Sequence, residues 1–106
     1  MGLKDGEIPK YYQPIDSCVN YQAYQFRLPT ALSVDAYQQI RAYVKSFGDN
    51  LNPEAIKVLH IEHELFFIDF PAYGFPYFKI SFYPQTPATK VKNYLYLLNN
   101  KLYSLL

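Results

Sequence analysis

The chain has 106 residues, a mass of 12.4 kDa and a formal charge of +1, which is one domain's worth of protein. Half of its residues are hydrophobic and 18% are charged, so it can bury enough apolar surface to offset the entropy of ordering, and wholesale disorder is excluded. The longest apolar runs, Tyr94 to Leu98 and Leu65 to Ile68, fall far short of the roughly 20 residues that span a bilayer, so no membrane role is expected. Cys18 has no second cysteine to pair with, no Asn-x-Ser/Thr sequon occurs, and the N-terminus is polar; these features predict a reducing, cytoplasmic setting.

Taken in chain order, residues 1–18 contain Gly2, Gly6, Pro9 and Pro14 with little periodicity. They predict an extended arm, pinned by Tyr11, Tyr12 and Ile15, ahead of a single domain over 19–106. Val19 to Leu28 predicts a strand, because Tyr24, Phe26 and Leu28 alternate with Gln25 and Arg27. Ser33 to Phe47 predicts a helix with Ser33 as N-cap, Asp35 in the first turn, and Val34, Tyr37, Ile40, Val44 and Phe47 on one face. Gly48 is placed to close that helix.

Ile56 to Ile61 predicts a second strand. Phe66, Ile68 and Phe70 predict a third, with Phe67 and Asp69 on the other face. The apolar phase changes from odd to even between Ile61 and Phe66, which requires a turn or bulge at Glu62 to Leu65. Pro71 to Pro76 is a turn region. Tyr77 to Tyr83 predicts a strand with Phe78, Ile80 and Phe82 inward and Lys79, Ser81 and Tyr83 outward. Thr86 as N-cap and Pro87 at the first helical position open a last helix. Its buried stripe is Val91, Tyr94, Leu95, Leu98, Leu102 and Leu105, and Tyr96, Leu97 and Tyr103 widen it. The expected fold is α+β: an antiparallel sheet of three to four strands with two helices on one face, in the order β-α-β-β-(β)-α. It resembles a ferredoxin-like unit that lacks its last strand, which would leave a sheet edge unpaired.

Twelve tyrosines and eight phenylalanines with no tryptophan are more rings than so small an interior takes. Each buries on the order of 150–250 Å², so part of the set is expected at the surface, where tyrosine marks recognition patches. Charge is also unevenly spread. Residues 1–48 sum to +1, residues 49–69 carry Asp49, Glu54, Glu62, Glu64 and Asp69 against Lys57, and residues 70–106 carry Lys79, Lys90, Lys92 and Lys101 with no acid. An acidic centre and a basic C-terminal third can attract each other or present opposed faces to partners.

No catalytic constellation stands out. His60, Glu62, His63 and Asp69 are weak metal candidates, since His-x-x-His-Glu matches no established ligand spacing. Cys18 has no orienting group or oxyanion loop that the sequence reveals. Gly2, Gly6, Gly48 and Gly74 are too dispersed for a phosphate-binding loop. No cofactor and no enzymatic activity are therefore expected. Tyr73-Gly74-Phe75-Pro76-Tyr77-Phe78-Lys79-Ile80 resembles the RNP1 signature of RNA-recognition motifs, although Tyr73 stands for its basic residue and Pro76 for its small one. That resemblance implies base stacking on Phe75 and Tyr77.

The reading these features favour is a small non-enzymatic interaction module, an adaptor, inhibitor or small subunit. Its protein partner would contact Tyr73, Phe75, Tyr77 and Tyr83, with Tyr96 and Tyr103 as a second patch. A homodimer is compatible with the unpaired edge, and the small size with heavy Tyr, Asn and Lys usage would suit a phage or mobile-element factor. The alternative is a nucleic-acid binder that uses Phe75 and Tyr77 with Lys79, Lys90, Lys92 and Lys101.

Overall fold

The computed structural model describes residues 8–15, 22–47, 56–57, 59–72 and 74–106. The fold is α+β. Its antiparallel sheet has the strand order β1-β2-β6-β5-β4-β3, where β1 is Tyr12–Ile15, β2 Gln22–Arg27, β3 Ile56–Lys57, β4 His60–Glu62, β5 Phe66–Asp69 and β6 Tyr77–Phe82. Helix α1 spans Val34–Lys45 and α2 spans Ala88–Leu105. The sheet is wider than the three to four strands expected, for two local reasons.

The first reason is the segment read as an arm. Residues 12–15 pair with β2 as β1, in the register Tyr12↔Phe26 and Ile15↔Ala23, so an edge of β2 that the sequence left open is occupied. The Arg27 N–H donates to the Tyr11 carbonyl at 2.9 Å. By the alternation of antiparallel ladders, Gln13 and Ile15 then turn their backbone groups toward β2, while Tyr12 and Pro14 turn theirs outward. Pro14, which has no N–H to give, falls where none is needed.

The second reason is a reversal inside the single strand expected over Ile56 to Ile61. The chain folds back near Leu59, and Ile56 pairs with Ile61 and Lys57 with His60. Leu59 has φ +67°, a left-handed conformation that a branched side chain rarely adopts. Its backbone groups are both engaged: the N–H donates to the Tyr37 hydroxyl oxygen and the carbonyl accepts from the Phe70 N–H at 2.8 Å. The turn expected at Glu62 to Leu65 is present. There the His63 N–H donates to the Phe66 carbonyl at 2.8 Å and the Leu65 N–H to His63 Nδ1 at 3.1 Å.

The alternation of β5 and β6 sends Phe66, Ile68, Phe78, Ile80 and Phe82 to one face, joined by Phe26 and Ile61. Both helices cover that face, through Tyr37, Ile40 and Val44 of α1 and Val91, Tyr94, Leu95, Leu98 and Leu102 of α2. Rings fill the space between the layers. Phe26 stacks on Phe78 at 4.8 Å, Tyr37 meets Phe70 edge-on at 4.7 Å, and Phe47 joins the helices by lying 5.0 Å from Tyr94.

Helix α1 starts as its sequence dictates, with Ser33 Oγ accepting the Ala36 N–H at 3.0 Å. Val34 is a correction, because it is exposed instead of joining the buried face. At α2 the cap shifts by one residue to Pro87. The Thr86 hydroxyl is drawn off the helix end and donates to the Leu65 carbonyl at 2.7 Å, fixing α2 to the β4–β5 turn. Gly48 lies outside the described residues. Among those described, no helix is long and apolar enough to cross a membrane.

Ile40 and Leu98 have no solvent exposure, and an aspartate at either position would place an unpaired carboxylate in the layer between helices and sheet. Ile40→Asp and Leu98→Asp are expected to abolish cooperative thermal unfolding followed by circular dichroism.

Candidate functional site

Strand alternation that fills one face of the sheet must populate the other, which among the described residues has no helix over it, although Ala23 and Ser81 on it are buried. Reading across the register, this open face carries Gln13 and Ile15 from β1, Ala23, Gln25 and Arg27 from β2, and Tyr77, Lys79 and Ser81 from β6. Phe67 and Asp69 follow from β5, then His60 and Glu62 from β4. Phe67, Tyr77 and Tyr83 are half-buried, and the Phe67 and Tyr83 rings lie 5.7 Å apart. Phe75, 47% exposed, meets Tyr77 edge-on at 5.7 Å. The Arg27 guanidinium sits 5.5 Å from the Tyr77 ring, a cation–π distance. A largely apolar hollow of about 280 Å³ opens between β1 and the β5–β6 connection, lined by Ile15, Gln25, Asp69, Pro71, Tyr77 and Lys79 among others.

Charge on this face is balanced but segregated. Arg27 and Lys79 stand on β2 and β6, whereas Asp69 and Glu62 stand on β5 and β4. His60 is held within the acidic half, its Nδ1 2.5 Å from Asp69 Oδ1 and its Nε2 3.5 Å from Glu62 Oε1. Both imidazole nitrogens therefore face carboxylates of the sheet itself. His63 belongs to the opposite layer. It is 5% exposed and stacked on Phe66 at 4.2 Å, with Tyr94 at 5.5 Å. The sheet thus separates the two histidines, and among the described residues no group of three His, Cys, Asp or Glu converges for a metal. Cys18 and Tyr73 lie outside the described residues.

Of the aromatic residues expected at a binding patch, Phe75 and Tyr77 meet at the start of β6, Tyr83 lies beyond its other end against Phe67, and Tyr96 and Tyr103 fall on α2, in the helix layer. Lys79 shares the open face with Tyr77. Lys90 and Lys92 are exposed on α2, and Lys101, also on α2, lies 5.5 Å from the Tyr43 ring of α1. Three of the four lysines are therefore on the far side of the sheet from Phe75 and Tyr77. Sequence reasoning missed Arg27 and Phe67 as members of the patch. The signal was present in the alternation of β2 and β5, but the register that aligns them with Tyr77 and Ser81 is a tertiary property.

The α2 patch is partly taken by the chain itself. Tyr96 is 61% and Tyr103 45% exposed, but Asn99 between them is only 5% exposed. Its Oδ1 accepts the Tyr11 N–H at 2.8 Å and its Nδ2 donates to the Pro9 carbonyl at 2.7 Å. An asparagine in a buried helical stripe thus clamps the backbone of residues 9–11 across α2. A hollow of about 240 Å³ remains beside the clamp, lined by Ile8, Lys10, Tyr12, Tyr96, Asn99 and Asn100. Burial pushes the Tyr11 phenol above its ordinary pKa, and the Tyr103 phenol adds repulsion against the phenolate.

Asn99→Ala removes both clamp bonds. It should cost about 1–3 kcal/mol in urea unfolding and speed hydrogen exchange at the Tyr11 amide. The Tyr11 shift sets a sign for pH. Because the folded state favours the protonated phenol, its contribution is complete below the ordinary value of 10.0 and is lost as pH rises beyond it. Tyr11→Phe should therefore flatten the alkaline fall in melting temperature.

No family model, curated protein or solved structure matches this chain.

Proposed function

We propose that the protein is a non-enzymatic interaction module that holds a protein partner on the open face of its sheet. One observation carries this reading: among the described residues both helices lie on the other side of the sheet, and this side carries the ring pairs Phe67–Tyr83 and Phe75–Tyr77, with Phe75 exposed, at the two ends of β6. A cluster of rings within a polar rim is the composition of a binding hot spot. We read the order β2-β6-β5 with α1 and α2 on one side as resembling the split β-α-β pattern of ferredoxin-like units. The mixture of Arg27 and Lys79 with Asp69 and Glu62 suits a protein surface better than a phosphate backbone, which asks for a cationic excess. Lys90 and Lys92, which an RNA or DNA ligand would need beside Phe75 and Tyr77, stand in the helix layer instead.

The test is capture from native lysate with and without nuclease, using the wild-type chain and the variant Phe75→Ala/Tyr77→Ala. Nuclease-resistant capture that weakens little in added salt, and that the double variant loses while its circular dichroism melt is unchanged, is the expected result. Capture that nuclease abolishes, or that falls steeply with salt, would assign the same rings to base stacking.

A further inference from the structure

We infer that His63 is the pin of an acid-sensitive latch, which holds the β4–β5 turn against the start of α2 while its imidazole is neutral and releases it on protonation. The components are a hydrogen bond, a ring cluster and a shared carbonyl, none of which depends on what binds the sheet.

A main-chain N–H can only donate. The Leu65 N–H lies 3.1 Å from His63 Nδ1, so that nitrogen is an acceptor and carries no proton. The imidazole is therefore neutral in the fold, with its hydrogen on Nε2. A second proton must go to Nδ1, where it meets the Leu65 hydrogen head-on and ends the bond. The charge also enters a cluster of rings. His63 is 5% exposed and stacked on Phe66 at 4.2 Å, with Tyr94 at 5.5 Å and Phe47 at 6.2 Å. Burial opposes a charge there. A cation over a ring face recovers part of that cost, but not the lost hydrogen bond.

The consequence reaches beyond the turn. His63 donates its own N–H to the Phe66 carbonyl at 2.8 Å, and the Leu65 bond completes the turn from inside. The Leu65 carbonyl, oriented by that turn, accepts the Thr86 hydroxyl at 2.7 Å and the Tyr83 N–H at 3.0 Å. The Thr86 N–H in turn donates to the Tyr83 carbonyl at 3.0 Å. One carbonyl thus ties the β4–β5 turn to the link between β6 and α2. Displacing Leu65 loosens the first turn of α2 and the Tyr83 end of β6, and leaves the Tyr77 end in place.

Among the described residues, the elements packed around His63 bring these titratable and charged groups. Helix α2 brings the Tyr94 phenol and, one turn earlier, the exposed Lys90; the end of α1 brings Phe47 and the exposed Lys45. Strand β5 presents the Phe66 ring. In the turn, Glu64 is exposed, and Glu62 sits on the other side of the sheet, 3.5 Å from His60 Nε2. An unfolded chain binds the proton at the ordinary histidine value of about 6.5, whereas the folded chain must first break the Leu65 bond. The stability that the latch supplies is therefore complete above that value and is lost as pH falls below it. Glutamates titrate near about 4.3, so the interval from about pH 7 to 5 isolates the histidines. The chain has two of them, His60 and His63.

The experiment is urea unfolding of the purified full chain at about pH 7 and pH 5, together with NMR of the wild type. The wild-type folding constant should fall on the order of tenfold between the two. His63→Asn keeps an oxygen that accepts the Leu65 N–H, as in an Asx turn, and has nothing to titrate, so it should lose this fall. His63→Phe keeps a stacked ring without the acceptor and is the second variant should an amide disturb the ring cluster. It should be less stable than the wild type at neutral pH and equally insensitive to acid. His60→Asn, on the other side of the sheet, should retain the fall. In the wild type, amide exchange at Leu65, Tyr83 and Thr86, relative to an unfolded peptide, should quicken several-fold on acidification, and that at Tyr77 should not.

A fall that both His63 variants retain, or one that His60→Asn abolishes, overturns the inference. So does an imidazole whose nitrogen shifts show Nδ1 protonated in the neutral wild type, a result that needs no variant to fold.

Discussion

Both helices pack on the same side of the sheet, and this shared layer organises the molecule. Strand β6 meets it most directly, because it lies between β2 and β5 and its residues alternate between the two environments. Phe78, Ile80 and Phe82 enter the layer beneath α1 and α2, and burying each such side chain is worth about 1.5–3 kcal/mol. Tyr77, Lys79 and Ser81 are committed by the same pleat to the side away from the helices, where Ser81 is nonetheless buried. The ring-rich composition follows this division. The core takes Phe26, Tyr37, Phe66, Phe70, Phe78, Phe82 and Tyr94, and Phe67, Tyr77 and Tyr83 lie outside it, half-buried.

Much of this architecture is legible in the residue order. Period-two alternation locates β2, β5 and β6, and three- and four-residue spacing locates both helices and nearly all of their buried positions. The phase change between Ile61 and Phe66 locates the turn that separates β4 from β5. What escapes is governed by tertiary contacts. The reversal at Leu59 has no glycine or asparagine to mark it, and is sustained by the Tyr37 hydroxyl and the Phe70 amide. The pairing of β1 depends on β2 and on the Asn99 clamp, neither of which residues 8–15 announce. Thr86 has the sequence of a helix cap, yet its hydroxyl is drawn to the Leu65 carbonyl.

The candidate site divides in the same way. The pairing of Phe75 with Tyr77 and the placement of Lys79 and Tyr83 on the same side of β6 could be read from their spacing alone. That Arg27 joins them, and that His63 leaves His60 for the opposite layer, depends on strand register and on a turn. Three of the four lysines proposed to accompany Phe75 and Tyr77 belong to α2. Proximity in sequence to a basic C-terminal third did not translate into proximity in space, because the last helix crosses behind the sheet.

Pro14 gives the molecule's outer boundary a further meaning. An antiparallel ribbon whose flank could both offer and receive main-chain hydrogens would accept another strand there, and then another, without limit. A pyrrolidine nitrogen on the outward side of β1 breaks that series at its first step. Growth of the ribbon sideways, the route to fibrils, is discouraged at this margin.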